Sequence, residues 1–314
     1  MRALIIGSTG FVGRRLAHEL RERDHTVAAI VRDPEAPAAH GLRSLGCELR
    51  IADLAEAASL EPALQDVDVV YYLAHLMAGG EEDDLIRAEA DAATALAEAA
   101  RKTGVERIIY LGGLGDPDAS EHLRARHATA LALQESGPPL TYFRAAMVVG
   151  AESGSYELLK SLVERLPAMV SPEWLENRTQ PIGVGDVVEY LADAASIAAT
   201  RGREIQIGGP EVMTYTGMLE GMARILGAKV PMRIPTPRGI SAKAVGNVAG
   251  AVTRGDAGVA EHITAGLATE TTVEDSSGME LFEVDPEPYH LALARAVEDE
   301  ARAEEDAQLA ARSR

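Results

Sequence analysis

Two groups of residues in this 314-residue chain have the types and spacing to do chemistry. The first is Gly7-Ser8-Thr9-Gly10-Phe11-Val12-Gly13, directly after the apolar residues 3–6. Gly7 permits a sharp turn from strand to helix. Gly10 lets a ligand approach the backbone where a Cβ would collide, and Gly13 lets the helix pack tightly on the strand. An anion such as a pyrophosphate then rests on free N–H groups at the positive end of the helix. Ser8, Thr9, Phe11 and Val12 belong to the same turn and are expected to line the dinucleotide with the three glycines. The second group is His122 and Arg126, four apart in a helical pattern and therefore on one face, about one turn apart. An imidazole can give or take a proton near neutral pH. A guanidinium beside it disfavours the imidazolium. It cannot shuttle protons itself, but it can hold ribose hydroxyls or a substrate oxygen. On residue types alone, an exposed helix with an incidental His and Arg is the commoner reading of this pair.

The elements that must position these groups can be read from hydrophobic periodicity. Strands are expected at residues 3–6, 26–31, 47–52, 67–74, 107–111 and within 140–149, with helices at 11–23, 83–103 and 121–135 between them. Gly104 suits a left-handed helix stop. Residues 67–74 are continuously apolar, as in a parallel strand buried on both faces. The βαβ order predicts a Rossmann-type α/β fold, a doubly wound parallel sheet with helices on both faces. After residue 150 the pattern loosens. Helices are expected at 156–166, at a segment opened by Asp186, and at 215–226, with a strand at 203–208 and an extended Pro-rich link in Val230-Pro231-Met232-Arg233-Ile234-Pro235-Thr236-Pro237. Residues 238–275 give no clear pattern. The expected organisation is a core over 1–150, a small C-terminal substrate lobe over 151–290 interleaved with late core elements, and a solvated terminal helix or tail over 291–314.

The second strand is followed by Arg32 and Asp33, where dinucleotide binders contact the adenosine ribose. Arg32 suits a 2′-phosphate and Asp33 a 2′-hydroxyl. Arg32 comes first after the strand, so NADP is favoured over NAD. Both residues would also suit an exposed charged turn.

Composition narrows the classes. The formal net charge is −19, which makes nucleic acid and anionic membrane poor partners. Hydrophobic residues are 46% and aromatics 4%, so the core must be built from aliphatic side chains. The lone Cys47 excludes an internal disulfide and a cysteine metal cluster, and it reads as a strand residue. No metal site is expected. Met1 leads straight into a strand, and no run of about 18 apolar residues could span a membrane. The expected location is cytoplasmic.

The glycine spacing G-x-x-G-x-x-G and five further stretches resemble one subgroup of the atypical short-chain dehydrogenases/reductases. The stretches are YYLAHLM, RIIYLGGL, EHLRAR, TYFRAAMVVGAESGSYELLKSLVERLP and RTQPIGVGDVVEYL. The resemblance is strong over residues 1–230 and looser beyond. Most members of the wider family carry Tyr-x-x-x-Lys on the helix after the fifth strand and a serine at that strand's end. Here the strand ends in Leu111-Gly112-Gly113-Leu114, and the helix carries His122-x-x-x-Arg126, as in this largely bacterial subgroup. The resemblance implies that Asp53 meets the adenine amino group and that the Leu54 N–H meets a ring nitrogen. Asp53 could equally cap the helix that follows. It also implies that Ala74 and His75 border the ribose and nicotinamide, with His75 either a substrate donor or a plain strand-end histidine. Tyr156 is a second proton-donor candidate, or an aromatic that packs on the sheet. The expected function is an NADP-dependent oxidoreductase acting on a small carbonyl or alkene, with His122 as proton donor or acceptor. An epimerase or cyclase using bound NAD(P), and a non-catalytic NAD(P)-binding sensor, are the alternatives. Homodimers are common in this fold, which is an argument by analogy only.

Overall fold

The structure, a computed structural model, describes residues 1–74, 82–165, 168–171, 173–230, 232–235 and 269–312. Strands β1 (Arg2–Ile6), β2 (Thr26–Val31), β3 (Glu48–Ile51), β4 (Val69–Tyr72), β5 (Arg107–Gly113), β6 (Leu140–Ala145) and β11 (Glu204–Ile207) form one sheet. Its order is β11-β6-β5-β4-β1-β2-β3, and every pairing is parallel. β1 lies between β2 and β4. The strand order reverses there, and ligands of such sheets bind in the crevice at the carboxyl ends of the strands flanking that reversal.

Helices cover both faces. On one face α1 (Phe11–Glu22), α2 (Pro37–Ser44) and α7 (Val184–Ala194) bury Leu16, Leu20, Leu42, Val187 and Leu191 against Ala3, Ile5 and Phe143. On the other face α3 (Ala57–Ala63), α4 (Glu82–Thr103) and α5 (Glu121–Ser136) bury Leu60, Leu96 and Leu133 against Leu4, Val70 and Tyr110. The expected doubly wound sheet is therefore present. The helices α2 and α3 are short, and their apolar residues are too few to show a period in the sequence.

A third cluster forms the C-terminal lobe. It joins α6 (Gly154–Arg165), α8 (Tyr215–Ile225) and α10 (Tyr289–Arg312) through Tyr156, Leu159, Met218, Met222, Leu293 and Ala296. A short antiparallel pair, β9 (Arg178–Thr179) with β12 (Met213–Thr214), leads into α8. A short helix, α9 (Ser277–Leu281), lies beside β11. Here the structure departs from the sequence in four places. Residues 140–149 form two strands, β6 and β7 (Val148–Val149), because β7 leaves the main sheet to pair with β10 (Ile182–Gly183). The helix expected to open at Asp186 opens at Val184, and Asp186 lies buried in its first turn. Part of the Pro-rich link is a strand, β13 (Met232–Pro235), parallel to β8 (Ala168–Ser171). The helix expected to be solvated from residue 291 buries Ala292, Leu293 and Ala296. Its apolar stripe is mostly alanine, too weakly hydrophobic to stand out among Glu and Arg.

Candidate nucleotide and catalytic site

The glycine turn is built on backbone contact. Gly7 has φ +81°, and a Cβ there would stand 2.7 Å from the carbonyl carbon and oxygen of Leu73 at the end of β4. A Cβ on Gly13 would stand 2.1 Å from the Gly7 carbonyl oxygen. Those two glycines are thus required by the fold itself. Gly10 differs: it is exposed, and a Cβ there would meet only the Gly7 oxygen at 3.2 Å. It is the N-cap of α1, in extended backbone and with no side-chain cap. The first N–H groups of α1 consequently have no helical partner and no cap, and a bare glycine stands in front of them. This cradle fits a dinucleotide pyrophosphate. Ser8 is buried, and its hydroxyl donates to the Ile30 carbonyl of β2 at 3.1 Å, tying the turn to the next strand. Thr9 is exposed, and Phe11 and Val12 are half-buried. The Arg15 guanidinium lies 4.6 Å from the Phe11 ring centroid and donates to the Phe11 carbonyl at 2.9 Å.

The ends of β2, β3 and β4 lie at the same edge. Arg32 and Asp33 are exposed beyond β2, and the Asp33 carboxylate accepts from the Glu35 N–H at 2.9 Å. Asp53 follows β3, and its carboxylate accepts from the Ala55 N–H at 2.9 Å. Its own N–H donates to the Ser59 hydroxyl at 3.0 Å. Asp53 therefore closes a turn ahead of α3, which begins at Ala57. Leu54 is buried and Ala74 half-buried. His75 lies outside the described residues. Cys47 is buried ahead of β3, and burial pushes its thiol pKa up.

His122 and Arg126 meet at the end of β5. The Ser120 hydroxyl caps α5 by accepting from the Leu123 N–H at 3.2 Å, which places His122 in the first turn. The Arg126 Nε donates to His122 Nε2 at 3.4 Å, and its Nη1 donates to the Leu111 carbonyl of β5 at 3.2 Å. The Tyr110 hydroxyl donates to the Arg126 carbonyl at 3.1 Å. Burial pushes the Arg126 pKa down, against Tyr110 and Glu89, which push it up. Such a bond to Nε2 requires a neutral imidazole with its proton on Nδ1. Side chains crowd the strand end. A Cβ on Gly112 would stand 2.8 Å from the Tyr142 ring, and one on Gly113 would stand 2.7 Å from Leu123 Cδ2.

Tyr156 stands elsewhere. It is 1% exposed in the third cluster, and its hydroxyl donates to Glu300 of α10 at 2.8 Å. Lys160 donates to the same carboxylate at 2.6 Å. Burial, and then Glu300, raise the Tyr156 pKa, so the phenol keeps its proton. The chain thus carries a Tyr-x-x-x-Lys spacing, but on α6, where it fastens the terminal helix. Among the described contacts none joins Tyr156 to His122 or Arg126. Sequence reasoning missed Glu89, buried on α4, and the ring ladder Tyr72–Tyr110–Tyr142 beneath Arg126. Nothing in the sequence sets Glu89 apart from the other five acids of α4. Among the described residues no cluster could hold a metal ion, and no helix is long and apolar enough to cross a membrane.

Residues 7–173, more than half of the chain, match the NAD(P)H-binding family. The chain belongs to that family. Its fold is shared with solved NAD(P)-dependent oxidoreductases and nucleotide-sugar epimerases. Ceramide reductase from Caulobacter vibrioides (strain NA1000 / CB15N) is 26% identical over 77% of this chain and 76% of its own length. Among solved structures, an Escherichia coli NADPH-dependent quinone oxidoreductase in complex with NADPH has a TM-score of 0.72 at 18% identity, covering 94% of this chain and 99% of that one. A Citrobacter triphenylmethane reductase with NADP(H) has a TM-score of 0.70 at 19% identity, with coverage of 94% and 99%.

Proposed function

We propose that this member of the family is an NADP-dependent oxidoreductase acting on a small organic carbonyl or alkene, with His122 handling the proton. The bond from Arg126 Nε to His122 Nε2, at the end of β5, is the observation that carries this reading. Gly7, Gly10 and Gly13 would hold the pyrophosphate, and Arg32 the 2′-phosphate. Asp53 and Leu54 would border the adenine. The bound nicotinamide supplies or accepts the hydride. In the orientation fixed by Arg126, the His122 Nδ1–H is the donor toward a substrate oxygen. Loss of that proton is matched by uptake of one from water at Nε2 as it leaves Arg126, so the ring stays neutral. In the reverse direction Nδ1 regains its proton from the substrate and Nε2 releases one to water. Arg126 thereby sets which nitrogen faces the substrate.

The test has two arms. Fluorescence titration with NADPH and NADH reads the cofactor, and tighter NADPH binding is expected. Equal or tighter NADH binding would remove Arg32 from this role. NADPH oxidation with menadione and with small ketones as probe acceptors reads the chemistry. His122→Ala should lower turnover by about 100-fold or more while leaving the NADPH Kd unchanged. Wild-type turnover in His122→Ala would discard His122 as the proton carrier.

A further inference from the structure

A cleft of about 370 Å³ lies between α1, the first turn of α7 and α10. Gly7, Gly10 and Gly13 do not line it, so it is separate from the nucleotide cradle. Val149, Val188, Ala292 and Ala296 are buried and give it an apolar wall. Most charges along it are engaged. Arg15 donates to the Phe11 and Ala151 carbonyls at 2.9 and 3.3 Å, with the Asp299 charge acting on it from α10. Arg295 pairs with Glu287 at 2.7 Å, and Glu19 with Arg23 at 2.7 Å. Asp186 is the exception. It is 7% exposed, and its Oδ2 accepts from the Glu287 N–H at 3.2 Å, a backbone donor. Among the described residues no ion pair reaches it, and burial raises its pKa. A buried carboxylate without a cation is costly. Beside it the cleft is open at Gly185, which is exposed and where a Cβ would meet nothing within 4 Å.

The geometry points to a second binding site in this cleft, for a small organic cation: a primary ammonium pairs with the Asp186 carboxylate, and its apolar body lies against Val149, Val188, Ala292 and Ala296. The inference does not rest on the reading of His122 or of the cofactor. Charge favours a cation over an anion. Four carboxylates line the cleft against two guanidiniums, and both guanidiniums already have acceptors. The positive end of α7 is met by Asp186 in its own first turn. The formal charge of −19 enriches cations and depletes anions around the chain. A metal ion fits poorly, because among the described residues no cluster could hold one. The volume sets the size. Ligand pockets run from about 300 to 1,000 Å³, so this one suits a single ring or a short chain.

The experiment is NMR chemical-shift mapping of the isotope-labelled full-length chain at pH 7, with benzylamine as the probe and no cofactor added. Saturable shifts are expected in the amides of residues 183–188 and 292–299, with a Kd of about 1 mM or tighter. Benzyl alcohol has nearly the same shape and no charge, and it should bind about 10-fold more weakly or worse. Asp186→Asn keeps the side-chain shape and should weaken benzylamine by a similar factor, about 10-fold or more. Gly185→Leu puts a side chain into the open space beside Asp186 and should weaken it at least as much. Equal binding of the alcohol overturns the inference, and so does unchanged benzylamine binding in Asp186→Asn. Shifts that never saturate, or that map to other acidic faces of the chain, overturn it too. If Asp186→Asn does not fold, Gly185→Leu decides: benzylamine bound as tightly as by the wild type overturns the site.

Discussion

The glycine turn and the α6–α8–α10 lobe meet along one seam, yet different forces hold them. At the seam Arg15 donates to the Ala151 carbonyl at 3.3 Å, and a Cβ on Gly150 would stand 2.6 Å from Val184 and 2.8 Å from Phe11. On the nucleotide side the restraints are backbone against backbone, at Gly7, Leu73 and Gly13. On the lobe side they are side-chain bonds between residues far apart in sequence, such as Glu300 with Tyr156 and Lys160, or the Thr271 hydroxyl to Thr179 at 2.7 Å. Backbone contact admits no adjustment. A side-chain bond can be lost singly and leave the rest in place.

The largest expected effect follows from the first kind. Gly13→Ala would put a methyl 2.1 Å from the Gly7 carbonyl oxygen, and neither backbone can yield without moving β1 or α1. Overpacking of this kind should cost about 3 kcal/mol or more and lower the melting temperature by about 5 °C or more. Binding of NADPH should be lost with it. Differential scanning calorimetry and cofactor titration check both, and a variant that keeps wild-type melting and affinity would show that the turn is looser than its geometry.

This contrast also explains what was legible in the sequence. A glycine that must be glycine leaves its mark at a fixed spacing, so Gly7 and Gly13, with a strand before them and a helix after, make the turn legible. The buried strands do likewise: Val69–Tyr72 is a continuous run buried on both faces. The lobe leaves no such mark. Glu300 lies in a helix full of glutamates, and only its distant partners distinguish it from them. The position of Tyr156 shows the same limit: its type suggests proton chemistry, while its place among Leu159, Met218 and Leu293 depends on how three separate helices pack. His122 and Arg126 are legible as a pair from their four-residue spacing. Glu89 is not legible, because only its burial distinguishes it from the other acids of α4.

The second prediction lies at the seam itself. Asp186 is buried in the first turn of α7, where its carboxylate accepts from the Glu287 N–H at 3.2 Å. Burial pushes its pKa up to about 6 from 3.8, and the Glu287 carboxylate adds to the rise against the backbone donors. A carboxyl with a raised folded pKa binds its proton more tightly in the folded chain than in the unfolded one. Its stabilising contribution is therefore present below about pH 4 and is lost as pH rises through 6. Asp186→Asn keeps an acceptor and removes the titration. It should stabilise the chain at pH 7 by up to about 3 kcal/mol and have little effect near pH 4. Urea unfolding at the two pH values measures the difference. An equal effect at both would assign it to packing.

The smallest expected effect tests whether the lobe can loosen alone. Glu300→Gln keeps the shape of the side chain and removes its charge. The Lys160 and Glu300 side chains are 21% and 23% exposed, so solvent screens the pair in part and the loss should be about 1–2 kcal/mol. Its distribution matters more than its size. Tyr156 and Lys160 hold α6 to α10, and neither belongs to the two core clusters of the main sheet. Amide hydrogen exchange should therefore quicken in α6 and in the second half of α10, while β1, β4 and α1 keep wild-type protection. NADPH affinity should hold as well, since the glycine turn depends on its own backbone contacts. Exchange that quickens equally in β1 and α10 would make the two regions one cooperative unit. In that case the seam at Ala151, Gly150 and Val184, and not the Glu300 bonds, would govern how the lobe opens.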